Sequence, residues 1–593
     1  MLRKDVDKKL TWDLTDLVKD DEDFKSKITK KKELASEIAE YKGKIKGLKE
    51  LDEVLAKFEE YLELDRLVGG FVEMYFSQDG TNPKAFDYME EYDMANKITT
   101  EALAFMEYEI TELPDEVLDE GMQKIDFAYS YLRTLKKIKK HKPPFAVINA
   151  LNKLNPVFGS PYNIWGSAIA SDVRFNDLHV DGKTYPMSFG LFEDKYSANT
   201  DTNLRHAAFK EFEETMRKYQ TTLALNYNAR LKAEKALSEI YGFESVFDYL
   251  LDMQDIPRDV YEKHIDILKE NLPKHMREYA KLIKEKYNLS EMTYADLKAP
   301  LMPEFEKNVT IEEAKDYLRK GLAIFGEEYV NETIRHIENR WIDFAENEGK
   351  STGAFCASFY KLHSYVLITW IGKMEDVFVL AHELGHAGHG RYSFMNNSLL
   401  NSESSMYISE MPSTCNEMLL ANYLINNTCD EDYKRWVMVQ MIERTYYHNF
   451  VTHGIEAIFQ REVYRAIDRG ENINAEKLNK MFRDTLKDFW GDDVVLTDGA
   501  ELTWMRQPHY FMGLYPFTYQ AGLSIATQLF LKLQSGTPEE NEKTIKNYKE
   551  TMMTGGKLLP LEWANKLGAN MEKGEALKNT IDYIGELVRK ISK

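Results

Sequence analysis

A chain of 593 residues is too long for one simple core, so two or more lobes or one large helical body is expected. Hydrophobic residues make up 43% and charged residues 30%, the balance of a folded globular protein and not of a disordered one. Asp and Glu (98) outnumber Lys and Arg (77), giving −21; this argues against nucleic acid as a partner, which needs a basic face, and against an anionic membrane.

The first residues, MLRKDVDKKLTWDLTDL, carry charges but no apolar centre of a signal peptide. No run approaches the ~18–20 apolar residues of a membrane span. Cys356, Cys415 and Cys429 are odd in number and too few for a disulfide framework. A cytoplasmic protein is expected.

Gly (31) and Pro (16) are sparse, which suits helices. Residues 22–65 read as charged amphipathic helix, with Ile28, Leu34, Ile38 and Tyr41 recurring at steps of three and four. Residues 114–140 continue that style, and a Pro-, Gly- and Asn-rich stretch follows at 143–160. An alternating segment at 173–185, interrupted by Asp181-Gly182, predicts a hairpin. Residues 203–241 predict a long helix stopped by Gly242, and a boundary is set near 200: an N-terminal helical lobe at 1–200 and a catalytic domain at 201–593. Helix is expected to continue to about 350. GAFCASFY (353–360) and YVLITW (365–370) predict two short strands, and helix with loops is expected from 377 onward.

The chemistry concentrates in MEDVFVLAHELGHAGHGRYS (374–393), which holds His382-Glu383-Leu384-Gly385-His386. Positions four apart on a helix share a face one turn apart, so both imidazoles can reach one zinc ion. Glu383 beside them is placed to take a proton from water at that ion. By composition alone such a motif arises in roughly one chain of this kind in thirty. A catalytic zinc takes three protein ligands and keeps one open position. His389 lies about two turns, roughly 10 Å, from His382 and cannot share its ion. Six residues past His386 stands Tyr392, so a third His at that spacing is excluded. Carboxylates remain: Glu403, Glu410 and Glu417 recur every seven residues in NSESSMYISEMPSTCNEMLLANYL, with Pro412 marking a kink or a helix start.

These motifs resemble the thimet oligopeptidase family of zinc peptidases, and within it the oligoendopeptidase F branch. The resemblance runs from KLTWDLTDL through GAFCASFY, HSYVLITW, the His-Glu-Leu-Gly-His helix and ISEMPSTCNE to HYFMGLYPFTYQAGLS and LPLEWANKLGANM. It implies a mainly α fold: a large two-lobed helical body, a small β-sheet beside the zinc helix, and a deep substrate channel. It implies one Zn²⁺ per chain, held by His382, His386 and Glu410. Glu417 matches a carboxylate that accepts a hydrogen bond from a zinc-bound imidazole, and Glu403 matches no functional position.

The resemblance also implies that His509, Tyr515 and Tyr519 serve as donors to the oxyanion of peptide hydrolysis, while a further tyrosine of mammalian-type members is replaced here by Gly522. The strand 353–360 resembles the edge along which family members lay substrate backbone, and His363 is a candidate substrate contact. His448 and His453 receive no role. The expected activity is cleavage of internal bonds in short oligopeptides, with Glu383 as general base. The alternatives are a zinc exopeptidase, which needs a fixed charge for a substrate terminus, and a non-catalytic peptide binder, which has no use for Glu383.

Overall fold

The computed structural model describes the backbone of residues 1–593 and every side chain except that of Asp194. The fold is mainly α, as expected, with one two-stranded and one three-stranded sheet. Among the described residues, no helix is long and apolar enough to cross a membrane.

The single helix expected at 22–65 is two, Asp21–Ala39 and Leu48–Gln78. The first is capped by Asp20, which accepts from the Asp23 N–H, and buries Phe24, Ile28, Leu34 and Ile38 on one face. The amphipathic pattern hides the break between them, where Gly43 takes φ +76°. The Pro-, Gly- and Asn-rich stretch is helical from Phe145 on, within the helix Phe145–Ser167, which carries Pro156 and Pro161 internally. The hairpin stands as predicted: Leu178–Val180 pairs antiparallel with Lys183–Tyr185, and Asp181 and Gly182 both have positive φ. The long helix Thr202–Ile240 starts on Asp201 and stops before Gly242.

The three-stranded sheet positions the site. Its central strand, Ser364–Leu367, pairs antiparallel with Phe355–Ser358 and parallel with a short strand, Ile342–Asp343. That third strand falls where helix was expected; the preceding helix ends at Glu338, and Arg340 turns the chain with φ +59°. The central strand is buried throughout, whereas Phe355–Ser358 forms a half-buried edge.

The first residues pack on this sheet. Trp12 and Leu14 share an apolar cluster with Phe71, Phe359, Tyr365 and Leu367. Arg3 pairs with Asp343, a fully buried carboxylate that also receives Lys350 at 2.8 Å. The KLTWDLTDL segment therefore acts as a strap that joins the N-terminal helices to the sheet. The largest core gathers residues from Val173 to Ile591 and encloses the motif helix.

Candidate active site

The motif helix runs Met374–Asn396. Asp376 fixes its start by accepting the N–H groups of Ile371 and Lys373. Val377, Phe378, Leu380, Ala381 and Leu384 are buried in the large core, so the polar side of the helix is held rigidly toward a cleft. On that side His382 and His386 stand one turn apart, with ring centroids 5.0 Å apart and planes at 79°.

Glu410 comes from the next long helix, Met411–Asn426, where it is the N-cap residue. Pro412 in the first turn starts that helix, since a proline there gives up no helical hydrogen bond. The two helices cross closely because of Gly385: a Cβ there would lie 2.5 Å from the Pro412 carbonyl oxygen. Asn416 ties them by donating to the Ala381 carbonyl at 3.0 Å.

This crossing brings His382, His386 and Glu410 together. Glu410 Oε2 lies 3.4 Å from His382 Nε2 and 3.5 Å from His386 Nε2. Donors around one tetrahedral ion with bonds of about 2.1 Å are separated by about 3.4 Å, so the three atoms fit a single divalent ion. Glu417, one further turn pair along the same helix, accepts from His382 Nδ1 at 2.6 Å, and its second oxygen accepts from Thr445. The Nδ1 proton is thereby committed to Glu417, which leaves Nε2 to face Glu410. Without an ion, burial opposes charge on His382, but hydrogen bonds to Glu410 and Glu417 hold its pKa well above the usual histidine value. Glu410 is held well below the carboxylate range, burial opposing and His386 and His382 prevailing.

Glu383 is only 5% exposed, and burial raises its pKa against the pull of His382 and His386. It opens onto a cavity of about 860 Å³ lined also by Phe355, Cys356, Ser358, His382, His386, Glu410, His448 and Tyr519. One wall is thus the sheet edge and another the motif helix.

His509, Tyr515 and Tyr519 are also brought together. Pro516 begins the helix Pro516–Ser535, so Tyr515 sits just ahead of it and Tyr519 in its first turn. The two phenol rings meet edge-on with centroids 5.2 Å apart, and His509 stacks on Tyr515 at 5.4 Å. The Tyr519 hydroxyl lies 3.4 Å from His509 Nε2. Burial raises the pKa of both tyrosines, with Glu410 adding to it at Tyr515, so both remain proton donors. At Gly522 a Cβ would come within 3.0 Å of Glu410 Cβ; a large residue cannot stand there without moving Glu410.

His363, His389 and Glu403 lie outside the two groups. His363 stacks on Trp341 at 3.7 Å and reaches Asp16 Oδ2 at 3.0 Å, so it fastens the N-terminal strap. His389 lines the cavity, and burial pushes its pKa down to about 4. Glu403 also borders the cavity and pairs with Arg66 of the helix Leu48–Gln78, a contact between distant parts of the chain that sequence spacing does not show. Thr445 carried no signal at all. Glu456 did: it stands three residues after His453, the spacing of neighbours on a helix.

A family model described as "Peptidase family M3" matches residues 195–583. The chain belongs to peptidase family M3 and is a metallo-endopeptidase. Within that family it falls in the oligoendopeptidase F branch. It is 27% identical to an oligopeptidase PepF of Bacillus subtilis, across 99% of this chain and 89% of that one. It is 24% identical to an oligoendopeptidase F homologue of Lactococcus lactis, across 99% of each. The crystal structure of oligoendopeptidase F from Enterococcus faecium superposes with a TM-score of 0.75 at 19% identity, covering 96% of this chain and 98% of that one.

Proposed function

We propose that the chain is a zinc-dependent endopeptidase that hydrolyses internal bonds of short oligopeptides, with His382, His386 and Glu410 as ligands and Glu383 as general base. The observation that carries this reading is the donor spacing of 3.4 and 3.5 Å beside a buried Glu383. The names of the relatives support oligopeptides as substrates. The family match supports a catalytic domain at 201–593 with 1–200 as a helical lobe. Three free cysteines are in keeping with a cytoplasmic location.

When bound, zinc supplies a Lewis acid that polarises the scissile carbonyl and lowers the pKa of water toward about 7. Glu383, with its raised pKa, takes the proton of the attacking water and passes it to the leaving amine. Tyr515, His509 and Tyr519 are the donors for the oxyanion, which forms only as the carbonyl is attacked. The free edge of Phe355–Ser358 offers N–H and C=O groups to an extended substrate. Arg66, a cation in the cavity wall, is engaged by Glu403, which favours cleavage inside a chain over capture of a terminal carboxylate.

The test uses peptides blocked at both ends, followed by mass spectrometry. The wild type should cut internal bonds, stop after chelation and resume when zinc is returned. Glu383→Gln should retain zinc and cut the same bonds about 100 to 10,000-fold more slowly. Products only from unblocked peptides would indicate an exopeptidase, and no products at all a binder.

A further inference from the structure

Next to the proposed zinc ligands lies a second group of the same residue types. His453, Glu456 and His509 bring ligand atoms within 4.8 Å of one another, and all four groups of the cluster, His448 included, lie outside the ligand set. Its spacing differs. His453 Nδ1 is 2.7 Å from Glu456 Oε2, and His509 Nδ1 faces the same oxygen at 3.6 Å. Two donors on one tetrahedral ion stand about 3.4 Å apart; 2.7 Å is the length of a charge-assisted hydrogen bond with a proton between the atoms. This cluster is therefore built to hold protons in place.

The positions of those protons follow from the contacts. Glu456 is 3% exposed; burial opposes its charge, but His453 and His509 hold its pKa near about 2, so it is an acceptor only. His453 must then donate from Nδ1. Burial keeps His453 and His448 neutral, so His453 Nε2 is an acceptor, and His448 donates to it from Nε2 across 3.1 Å. His453 also lies flat on the Tyr519 ring, with centroids 4.0 Å apart and planes at 14°. The cluster thus backs the ring of Tyr519 and meets His509 edge to face, with centroids 4.6 Å apart.

We infer that Glu456 is a positioning residue for His509: its carboxylate faces Nδ1 at 3.6 Å as an ion-pair partner and so keeps Nε2 aimed at Tyr519 and the reacting carbonyl. This rests on the reading of His509 as an oxyanion donor. A carboxylate facing Nδ1 favours one ring orientation and stabilises the doubly protonated ring, the form whose Nε2–H can donate to the oxyanion while Nδ1–H faces Glu456. His453 holds Glu456 in register from the same helix, His453–Asp468, one turn away. His448, which borders the cavity, ends the chain of donors.

The test combines Glu456→Gln, His509→Ala and the double variant, each zinc-loaded and assayed on a blocked peptide. Glu456→Gln should lower kcat by about 10 to 100-fold with KM and zinc content near wild type, since it removes an orienting partner and no ligand. In the His509→Ala background the same change should have almost no further effect, because the two act as one unit. Equal losses in both backgrounds, or no loss in either, would overturn the inference. If His509→Ala alone leaves kcat unchanged, the oxyanion reading fails and this one with it. If His509→Ala is slow while Glu456→Gln is not, only the role of Glu456 fails. Should Glu456→Gln not fold, the ¹⁵N imidazole signals of wild-type enzyme decide. His509 and His453, each identified by its own substitution, should carry a proton on Nδ1; a bare Nδ1 on His509 would overturn the inference.

Discussion

Two clusters of histidine and glutamate meet at one cavity in this molecule, and they are spaced for different occupants. In the first, Glu410 Oε2 stands 3.4 and 3.5 Å from two imidazole nitrogens. In the second, Glu456 Oε2 stands 2.7 Å from one and 3.6 Å from the other. The difference comes from where the carboxylate is anchored. Glu456 shares a helix with His453 and can swing onto it until a hydrogen bond forms. Glu410 belongs to a separate helix, and its distance is set by the packing of backbones at Gly385 and Gly522. Held there, Glu410 stays 3.4 and 3.5 Å from the two Nε2 atoms, so room for an ion remains. Donor type alone does not define a metal site; the anchoring of the donors does.

The comparison can be broken most directly at the ligands. His386→Ala or Glu410→Ala should abolish zinc binding at micromolar zinc and all peptidase activity, whereas Glu403→Ala should leave zinc content at wild type. Metal analysis after dialysis checks this; loss of zinc in Glu403→Ala would mean the third ligand is misassigned. Glu383→Gln should keep the ion and lower kcat by about 100 to 10,000-fold, the range for a general base. Loss of metal in parallel with activity would make Glu383 a ligand.

Smaller effects sharpen the picture. Tyr515→Phe keeps the ring and deletes the donor, so kcat should fall by about 100 to 1,000-fold with KM little changed. A raised KM at normal kcat would instead make Tyr515 a substrate-binding group. Glu417→Ala frees the Nδ1 end of His382 and should weaken zinc affinity or activity by about 10 to 100-fold. The smallest expected effect is that of pH. Without the ion, His382 keeps a proton because its pKa is raised, so zinc must displace that proton to bind. Below the raised pKa, zinc affinity should fall by about tenfold for each pH unit lost to one displaced proton; above it this dependence should vanish. Chelator competition at several pH values reads the slope, and a flat profile from acid to neutral pH would contradict the pairing of His382 with Glu410 and Glu417.

The first cluster was legible in the sequence because its parts are local. His382 and His386 lie one helical turn apart, and Pro412 marks the start of the helix that carries Glu417. The residue pattern could not choose among Glu403, Glu410 and Glu417, since the choice depends on how two helices cross; family resemblance pointed to Glu410. The second cluster was not read, although His453 and Glu456 have helical spacing, because His509 arrives from more than fifty residues away. The strand Ile342–Asp343 escaped for a related reason: two residues carry no alternation, and it exists only by pairing with Ser364–Leu367. The break at Gly43 was hidden by amphipathic spacing on both sides of it.

Anomalous diffraction at the zinc edge, from crystals grown with zinc, tests the central claim most directly. The account predicts one peak per chain among His382 Nε2, His386 Nε2 and Glu410 Oε2, and none among His453, Glu456 and His509. A peak in the second cluster, or none in the first, would contradict it.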